Sequence, residues 1–332
     1  MEQQSNDEEH EGWRVEHAGF ELFQPSLAEL DSFITPTASM FTVVHMGVFS
    51  VSREKWRMRV DGLVRNPIEL TYDDLMAFEQ IEVVATHECA GSPLNPTHPV
   101  RRVGTVRWRG VLLSALLEKA EVLPEARYLW SKGADWGSFN KNENLYYQKD
   151  LSLELLQHHQ PILATHINGE ELTPERGAPV RLVVPECYGT NSTKWLTNLH
   201  LADKRATGYF SAVLYNEEVN GQMRPVWQIA PHAVFVSHQT GMSLSSGVHS
   251  LQGWAWASGG VDLVEVSVDG GVSWAPAQLQ AKQEYAWQRF AIDWRAAPGQ
   301  HRLACRARAC DGRVQPQKGA RNEWFWIEVN VA

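Results

Sequence analysis

The chain has 332 residues, of which 43% are hydrophobic and 21% are charged, and its formal net charge is −9. This length favours two domains, and this balance of apolar and charged residues is that of an ordinary globular protein. The acidic net charge, without any basic cluster interleaved with aromatic residues, excludes nucleic acid as an expected partner.

The N-terminal segment and the cysteines bear on the compartment. Residues 1–12 are rich in carboxylates and lack the basic start and apolar run of a signal peptide. Nowhere do about 18 apolar residues follow one another, so we expect no membrane span. Four scattered cysteines are too few for a disulfide framework: Cys89, Cys187, Cys305 and Cys310. We therefore expect a cytoplasmic protein with reduced thiols.

The first predicted elements follow an acidic lead-in. Residues 1–28 are predicted to be a partly disordered tail, with globular sequence from Phe33 onward. Residues 56–64 alternate like a strand, and Thr71 is a candidate N-cap of a short helix. The apolar residues 81–86 then predict a strand that ends just before Cys89.

Further elements continue in chain order. Residues 105–111 predict a strand and residues 112–120 a helix. Residues 178–184 form an apolar strand interrupted only by Arg181, a charge that needs a partner. Beyond residue 231 the sequence changes to short strands and tight turns. The strands expected there include a hairpin and three later segments, at residues 264–274, 287–294, 301–309 and 324–329. This spacing predicts an immunoglobulin-like β-sandwich.

Cys89 is the most informative residue of the sequence. It lies in Thr86-His87-Glu88-Cys89-Ala90-Gly91, at the polar end of the predicted strand. A cysteine in this position is either an inert core residue or a reactive thiolate, and thiolates are soft ligands for thiophilic metals. The residues alone leave both interpretations open.

Three segments, in this order, resemble the sulfite oxidase family of molybdenum–pterin enzymes. They are Cys89-Ala90-Gly91 with residues 104–111, residues 168–185 continuing into 188–196, and Trp254-Ala255-Trp256 with residues 267–271. The resemblance covers roughly residues 30–330 and identifies the chain as a divergent member. It implies an α+β fold: a sulfite-oxidase-like mixed α+β molybdopterin-binding domain at residues 29–230, followed by an immunoglobulin-like dimerisation domain at 231–332.

The resemblance also implies the cofactor site. Cys89 would be the protein ligand of molybdenum, in a molybdenum–molybdopterin cofactor. The residues implied in binding the pterin and its phosphate are His45, Asp135, Arg181, Gly189, Thr190, Ser192, Thr193 and Lys194. Small polar residues let the backbone approach a phosphate, and Lys194 adds a positive charge. The alternatives are an ordinary polar turn at 189–194, an ion-paired Arg181 and a structural His45.

The sequence departs from the family where sulfite would bind. Valine stands at two positions where the family has arginine, Val43 and Val261, and Thr165 replaces the active-site tyrosine. Each charge-assisted hydrogen bond lost from a small oxyanion costs about 1.5–3 kcal/mol. Sulfite oxidation is therefore doubtful, and a less charged substrate such as an S-oxide or N-oxide is expected instead.

Several ionisable residues could line the substrate pocket. His87, Glu88 and His166 are candidates for proton acceptors beside the metal, because oxygen-atom transfer is coupled to proton movement. His98, Arg101 and Arg102 are further candidates for the pocket wall. For each of the six, the alternative is a solvated or structural side chain.

The expected partners follow from the same comparison. The chain has no Cys-x-x-Cys-His haem attachment sequence and no iron–sulfur cysteine spacing, so we expect no haem and an external electron carrier. The resemblance implies a homodimer and a small-molecule substrate. Two hypotheses remain: an oxidoreductase of uncertain substrate, or a molybdopterin-binding protein that has lost catalysis.

Overall fold

The computed structural model describes residues 12–92, 95, 98–219, 221–318 and 321–332. Most of the predicted acidic tail, residues 1–11, lies outside this part. The chain divides into two compact units, each assembled from separate stretches. The first unit contains residues up to 23, 42–83 and 107–227, and the second contains 24–41, 84–106 and 228–332. Cys89 therefore groups with the C-terminal residues.

The first unit contains most of the strands and all three α-helices of the described part. The helices are α1 (Tyr72–Met76), α2 (Leu113–Ala120) and α3 (Leu153–Gln157). Its strands, of which β7 and β8 extend into the second unit, are β1 (Arg14–Ala18), β2 (Glu21–Phe23), β3 (Thr42–Val44), β4 (Gly47–Ser50), β5 (Arg57–Gly62), β6 (Ile68–Thr71), β7 (Gln80–Glu88), β8 (Val103–Leu112), β9 (Tyr128–Phe139), β10 (Asn142–Ser152), β11 (Ile162–Ile167), β12 (Glu170–Glu171), β13 (Arg181–Val183), β14 (Leu196–Ala202), β15 (Asn216–Val219) and β16 (Gln222–Pro225).

Two five-stranded sheets organise this unit. One has the order β10-β9-β14-β5-β6 and is antiparallel except for the parallel pair β14–β5. The other has the order β12-β11-β8-β7, with β13 also paired to β11. Leu199 of β14 and Leu163 of β11 are fully buried in one hydrophobic cluster, together with Leu113 and Leu116 of α2. The helices thus cover apolar sheet faces.

The second unit is built mainly from two antiparallel sheets. Its remaining strands are β17 (His232–Phe235), β18 (Ser243–Leu244), β19 (Gly247–Trp256), β20 (Val261–Ser267), β21 (Ala275–Pro276), β22 (Gln278–Leu279), β23 (Gln288–Ala296), β24 (Gly299–Ala309) and β25 (Phe325–Val331). The sheet orders are β17-β19-β23-β22 and β18-β25-β24-β20-β21, the latter with a parallel β18–β25 pair. This is the predicted immunoglobulin-like sandwich.

Alternating burial explains why the strands of the sandwich were predictable. Along β25, Phe325, Ile327, Val329 and Val331 are buried, while the residues between them reach the surface to varying degrees. The hairpin predicted at 264–274 is also present as the antiparallel pair β20–β21. Its turn is longer than two residues.

One expectation needs correction. The sequence placed the start of regular structure near Phe33, yet β1 and β2 precede it and pair with β4 and β3. All five residues of β1 are exposed, so the strand lacks the apolar alternation by which strands are recognised. The strand predicted at residues 178–184 is also shorter than expected, because only Arg181–Val183 forms a strand.

The structure contains no candidate membrane-spanning helix in its described part. All four cysteines are free, and Cys305 is buried whereas Cys310 is exposed.

The N-cap of α1 provides a test of the local structure. The Thr71 Oγ1 accepts a hydrogen bond from the Asp74 backbone N–H at 3.1 Å, and the Asp74 carboxylate accepts one from the Thr71 N–H at 2.9 Å. Thr71→Ala should lower the free energy of unfolding by about 1 kcal/mol, because the first-turn donor loses its acceptor. Urea unfolding would measure this loss. Thr71→Ser keeps the hydroxyl and should be near wild type; equal losses in both variants would contradict the capping role.

Candidate functional site

Lys194 lies in the first unit, just before β14. Its Nζ donates hydrogen bonds to two backbone carbonyls, Val43 O and Glu175 O, each at 3.1 Å. The ammonium also lies 4.3 Å from the centroid of the Trp195 ring. These contacts use two of its three N–H donors, and no carboxylate of the described residues forms an ion pair with it. The lysine is therefore held in place and still able to donate to a ligand.

Arg181 lies on β13, close to the same charge. It is buried, and its Nη atoms donate to Arg176 O at 3.1 Å and Ser192 O at 3.0 Å. The guanidinium carbon lies 5.0 Å from the centroid of the Trp108 ring, and Nε has no hydrogen-bond partner among the described residues. The sequence predicted that the buried charge of Arg181 needs a partner. Among the described residues, its partners are two backbone carbonyls and an aromatic ring, and not a carboxylate.

The positive charges of this region act on one another. Burial, together with the charges of Arg181 and Arg176, lowers the pKa of Lys194 to about 7, while the attraction of Asp135 opposes this fall. Burial and Arg176 likewise lower the pKa of Arg181 to about 9. Cations gathered in this way are stabilised by a bound anion. The cluster therefore has the charge that a phosphate group requires.

Asp135 lies on β9 and is almost fully buried. Burial raises the pKa of its carboxyl to about 7, although the Lys194 charge opposes the rise. Its Oδ1 has no hydrogen-bond partner within the described part of the chain. A Cβ added to Gly133 would lie 2.4 Å from this oxygen and 2.6 Å from Lys194 O, so glycine keeps the space open. An unpaired buried oxygen of this kind suits an N–H donor of a heterocycle.

His45 packs among aromatic side chains of the first unit. Its Nε2 lies 2.7 Å from the Tyr215 hydroxyl, and its ring is 4.9 Å from Phe139 and 5.3 Å from Phe210 between centroids. Burial, with a contribution from the Lys194 charge, lowers the pKa of His45 to about 3. The histidine is therefore neutral at physiological pH.

The polar turn at residues 189–194 was predicted to cradle a phosphate. Gly189–Asn191 forms a single 3-10 turn, and the hydroxyl groups that follow or belong to it bond within the protein. The Thr190 Oγ1 lies 3.0 Å from the Tyr147 hydroxyl, the Ser192 Oγ accepts from the Val184 N–H, and the Thr193 Oγ1 lies 2.7 Å from the Ser131 Oγ. These side chains fix the turn, and Lys194 provides the charge.

Cys89 belongs to the second unit, directly after β7. The thiol is buried, and its Sγ accepts a hydrogen bond from the Gly91 N–H at 3.3 Å. The Cys89 N–H donates to Arg102 O at 2.9 Å. Burial raises the pKa of the thiol, while the Gly91 N–H and the Arg102 guanidinium act to lower it. These two donors stabilise a thiolate, the form that ligates metals.

Glu88 precedes the cysteine and points into the second unit. Its Oε2 accepts a hydrogen bond from the Trp256 Nε1 at 2.9 Å, and its Oε1 lies 3.5 Å from the His232 Nδ1. Neighbouring His87 stacks against the Phe41 ring with 5.8 Å between centroids. Both are buried. These contacts give each side chain a packing role, and their action as proton acceptors stays a prediction.

His166 lies in the first unit on β11. Its Nδ1 lies 2.8 Å from the Thr165 Oγ1, and the neighbouring strands place Arg109 and Glu171 opposite it. Burial and the Arg109 charge lower its pKa. None of its contacts among the described residues is with Lys194, Arg181 or His45, so the structure does not bring this candidate into the cation cluster.

The remaining candidates differ in exposure. His98 is exposed, whereas Arg101 is buried and donates to the carbonyls of His98 and Val100. Arg102 donates through Nε to the Gln24 side chain as well as acting on the Cys89 thiol. The sequence predicted Arg102 only as a wall residue. In the folded chain its backbone carbonyl accepts the hydrogen bond of the Cys89 N–H, a pairing that the local sequence does not indicate.

The sequence did not predict two residues that contact the candidate His45. Tyr147 and Tyr215 surround His45, and Tyr147 also donates to Thr190 O at 2.7 Å. Tyr147 lies inside a long strand, where an aromatic residue is ordinary, and Tyr215 follows a π-helical turn at Tyr209–Leu214. Neither position carries a local signal.

Two known protein families match successive parts of the chain. The model of the "Oxidoreductase molybdopterin binding domain" matches residues 45–210. That of the "Mo-co oxidoreductase dimerisation domain" matches residues 226–331. The chain belongs to the sulfite oxidase family of molybdopterin-dependent oxidoreductases.

Sulfite oxidases and nitrate reductases are among the relatives. Mouse mitochondrial sulfite oxidase is 27% identical over 345 residues, covering 91% of this chain and 62% of the mouse protein. Chicken sulfite oxidase is 28% identical, covering 94% and 74% of the two chains. The NADPH nitrate reductase of Aspergillus niger is 27% identical, covering 80% of this chain and 34% of its own length. The chain thus spans less than two thirds of the mouse and fungal proteins.

A solved structure supports the same family. The sulfane dehydrogenase SoxCD of Paracoccus pantotrophus matches with a TM-score of 0.78 and 27% identity, covering 92% of this chain and 85% of that chain. The predicted family and the predicted α+β fold with a β-sandwich are therefore confirmed.

Each unit, taken by itself, offers groups that suit one part of a molybdopterin. The first unit offers the Lys194 ammonium and the unpaired Nε of Arg181 to an anion, and the unpaired Oδ1 of Asp135 to a heterocyclic N–H. In the second unit, Cys89 is a single thiol with donors beside it. Among the described residues, no group of three or more His, Cys, Asp or Glu could hold a metal ion.

The low pKa of His45 yields a test in cofactor-free protein. Between about pH 3 and 6.5 the unfolded chain binds a proton at this residue that the folded chain does not, so its contribution makes stability fall as the pH falls through that range. His45→Gln should make the decline of unfolding free energy shallower by up to ~1.4 kcal/mol per pH unit, the value for one proton.

Urea titrations at several pH values measure this slope, and the matched control is His249→Gln, at a histidine in the β-sandwich of the second unit. Identical slopes for His45→Gln and the wild type would contradict a depressed pKa at His45.

Proposed function

We propose that this protein is a molybdenum–pterin oxidoreductase in which Cys89 is the protein ligand of the metal. The observation that carries the proposal is the buried Cys89 thiol, to which the Gly91 N–H donates and on which Arg102 acts, in a chain that belongs to this family. A cysteine that serves only in packing does not require two donors that stabilise its thiolate.

The proposed division of labour follows from the local chemistry. When bound, the molybdenum centre supplies two-electron oxygen-atom transfer. Arg102 and the Gly91 N–H favour the deprotonated Cys89, and burial limits access of water to the sulfur. Lys194 and Arg181 bind the anionic end of the cofactor, and Asp135 accepts an N–H of its ring system. The neutral His45 packs with Tyr215 and offers no charge to this region.

The substrate that we propose is small and less charged than sulfite. Two of the positions where the family carries arginine are Val43 and Val261, and the latter is buried in the β-sandwich. The third departure, Thr165, is also buried, and its hydroxyl lies beside His166. Removing cations from a site weakens the binding of an oxyanion much more than it weakens the binding of a neutral molecule. An S-oxide, an N-oxide or another weakly charged sulfur centre suits such a site, and the similarity to a sulfane dehydrogenase favours sulfur.

The oligomer and electron transfer complete the proposal. The match of residues 226–331 to a dimerisation domain supports a homodimer formed through the second unit. Electrons would pass to or from a separate carrier protein or small molecule. Sedimentation at micromolar concentration that finds only monomer would argue against the dimer.

A cofactor-binding protein without catalysis is the second candidate. The same three substitutions, at residues 43, 165 and 261, favour it. It shares the cofactor contacts and differs in turnover, so a substrate panel applied to loaded protein separates the two functions.

Lys194 provides a test of cofactor binding. Lys194→Met should weaken the affinity for the cofactor roughly 10- to 100-fold, because one charge-assisted hydrogen bond is lost. The purified variant should therefore contain less pterin and less molybdenum than the wild type. Occupancy is measured by metal analysis and by fluorescence of the oxidised pterin in purified protein. Lys119→Met, which removes an exposed lysine from α2, is the matched control and should keep full occupancy. Full occupancy in Lys194→Met would remove this residue from the anion site.

Cys89 provides the test of catalysis. Cys89→Ala should retain pterin but lose the thiolate-to-metal absorption band and lower turnover by more than ~100-fold, since loss of a direct ligand should exceed the 10- to 100-fold effect of outer groups. The matched control is Cys310→Ala, at an exposed cysteine.

The assay follows a redox dye with S-oxides, N-oxides, thiols and sulfite. Wild-type absorption in Cys89→Ala would reject the ligand role. Loaded wild-type protein that turns over none of the panel would favour the non-catalytic alternative.

A further inference from the structure

The strand end that carries Cys89 lies beside a second segment of the second unit. The Cys89 N–H donates to Arg102 O at 2.9 Å, so residues 88–89 run alongside residues 101–102. A Cβ added to Gly91 would lie 3.1 Å from Arg102 Nη1 and 3.8 Å from Cys89 Sγ. Glycine at this position therefore lets the guanidinium and the thiol approach the same small space.

Glu88, one residue before the cysteine, makes its contacts elsewhere in the second unit. Its side chain is only 3% exposed, and its Oε2 accepts a hydrogen bond from the Trp256 Nε1 at 2.9 Å. Its Oε1 lies 3.5 Å from the Nδ1 of His232, which pairs with Trp256 across β17 and β19. Successive side chains of an extended segment point to opposite sides. Glu88 is thus held by the β-sandwich, while Cys89 adjoins Arg102.

Arg101 and Arg102 show the same division on the neighbouring segment. Arg101 is buried, and its guanidinium carbon lies 5.3 Å from the centroid of the Phe325 ring on β25. Burial lowers the pKa of Arg101 to about 10, and the charge of Glu88 opposes this fall. The two segments therefore carry one pair of opposite charges at Glu88 and Arg101, and a second pair where a Cys89 thiolate adjoins Arg102.

A buried carboxylate is an unfavourable way to fill space. An ionised carboxyl group without partners costs far more to bury than an apolar side chain, and even a buried ion pair can often be replaced by apolar residues without loss of stability. A buried polar group can instead specify one register, as a single buried polar residue does in coiled coils. A shift of one residue here would place Glu88 where Cys89 now faces Arg102.

We propose that Glu88 is a positioning residue, whose hydrogen bond to Trp256 fixes the register of the strand end so that Cys89 faces Arg102. This role differs from that of the proton acceptor predicted from the sequence, because the carboxylate acts through the backbone and not on a substrate. The alignment is a property of the cofactor-free chain, whereas its consequence for the metal rests on the proposed function.

Hydrogen exchange in the cofactor-free, full-length protein tests the register. Mass spectrometry follows residues 84–92, which include the Cys89 N–H. Glu88→Leu should speed this exchange roughly tenfold or more, the effect of losing one hydrogen bond to a charged group. Glu88→Gln keeps a carbonyl oxygen that accepts from the Trp256 Nε1, so its exchange should stay within about threefold of the wild type.

Two further variants complete the test of the register. Trp256→Phe removes the donor and keeps an aromatic ring, so it should speed the exchange as Glu88→Leu does. The matched control is Glu265→Leu, which removes from the same unit a carboxylate that pairs with Arg306, and it should leave the exchange of residues 84–92 unchanged. Circular dichroism is recorded for each variant, and Trp256→Phe decides the question if Glu88→Leu does not fold.

The exchange rates have two outcomes that would overturn the proposal. One is wild-type exchange of residues 84–92 in Trp256→Phe and in folded Glu88→Leu. The other is exchange in Glu88→Gln as fast as in Glu88→Leu, since the retained acceptor would then have no effect.

Protein purified from cells that make the cofactor tests the consequence for the metal. Groups that orient a metal ligand typically change metal affinity 10- to 100-fold when they are removed. Glu88→Leu should therefore retain pterin, bind molybdenum roughly tenfold more weakly and lose the thiolate-to-metal absorption band, whereas Glu88→Gln should keep both metal and band. Wild-type metal content and absorption in Glu88→Leu would overturn the positioning of the metal ligand. A wild-type protein without molybdenum would contradict the proposed function, and the exchange rates would still decide the register.

Discussion

Electrostatic repulsion among partly buried cations is the constraint on which the first unit depends. Lys194, Arg181 and Arg176 each lose hydration, and their charges oppose one another. The fold offsets this cost with backbone carbonyls and aromatic faces, and it adds counter-charges from Asp135 and Glu21, which act on Lys194, and from Glu175, which acts on Arg176. Carbonyl oxygens orient a cation without neutralising it. The arrangement therefore leaves an excess of positive charge in this region, which under the proposed function the phosphate of the cofactor would neutralise.

At Cys89, burial and the neighbouring hydrogen-bond donors have opposite effects on the ionisation of the thiol. Burial alone favours the neutral thiol, whereas the Gly91 N–H and Arg102 favour the thiolate. Such a sulfur is protected in the absence of metal and becomes ionised when a metal displaces its proton. Glu88 belongs to the same stretch yet points toward Trp256 and His232. Under the proposed function, adjacent residues at one strand end thus have separate roles: Cys89 binds the metal, and Glu88 makes contacts within the second unit.

The sequence predicted what short patterns encode and missed what depends on distant pairing. The strands of the β-sandwich show alternating burial, and the helix at Leu113–Ala120 shows helical spacing, so both were predictable. The fully exposed β1 lacked any such pattern. Lys194 and Arg181 were predicted as site residues from family motifs, and that role stays a prediction; their carbonyl partners at Val43 and Arg176 follow only from the folded chain. The pairing of His159 with Glu186 joins residues of two loops and has no local signature.

The backbone and the side chain of residue 43 have separate roles. Its backbone carbonyl holds the Lys194 ammonium, and any amino acid supplies that oxygen. Its side chain is where the family has an arginine and this chain has valine. Under the proposed function, an exchange of this side chain would alter the surroundings of the substrate and would leave in place the carbonyl oxygen to which Lys194 donates. In that function, the side chain of residue 43 can therefore change substrate preference without affecting the carbonyl contact that positions Lys194.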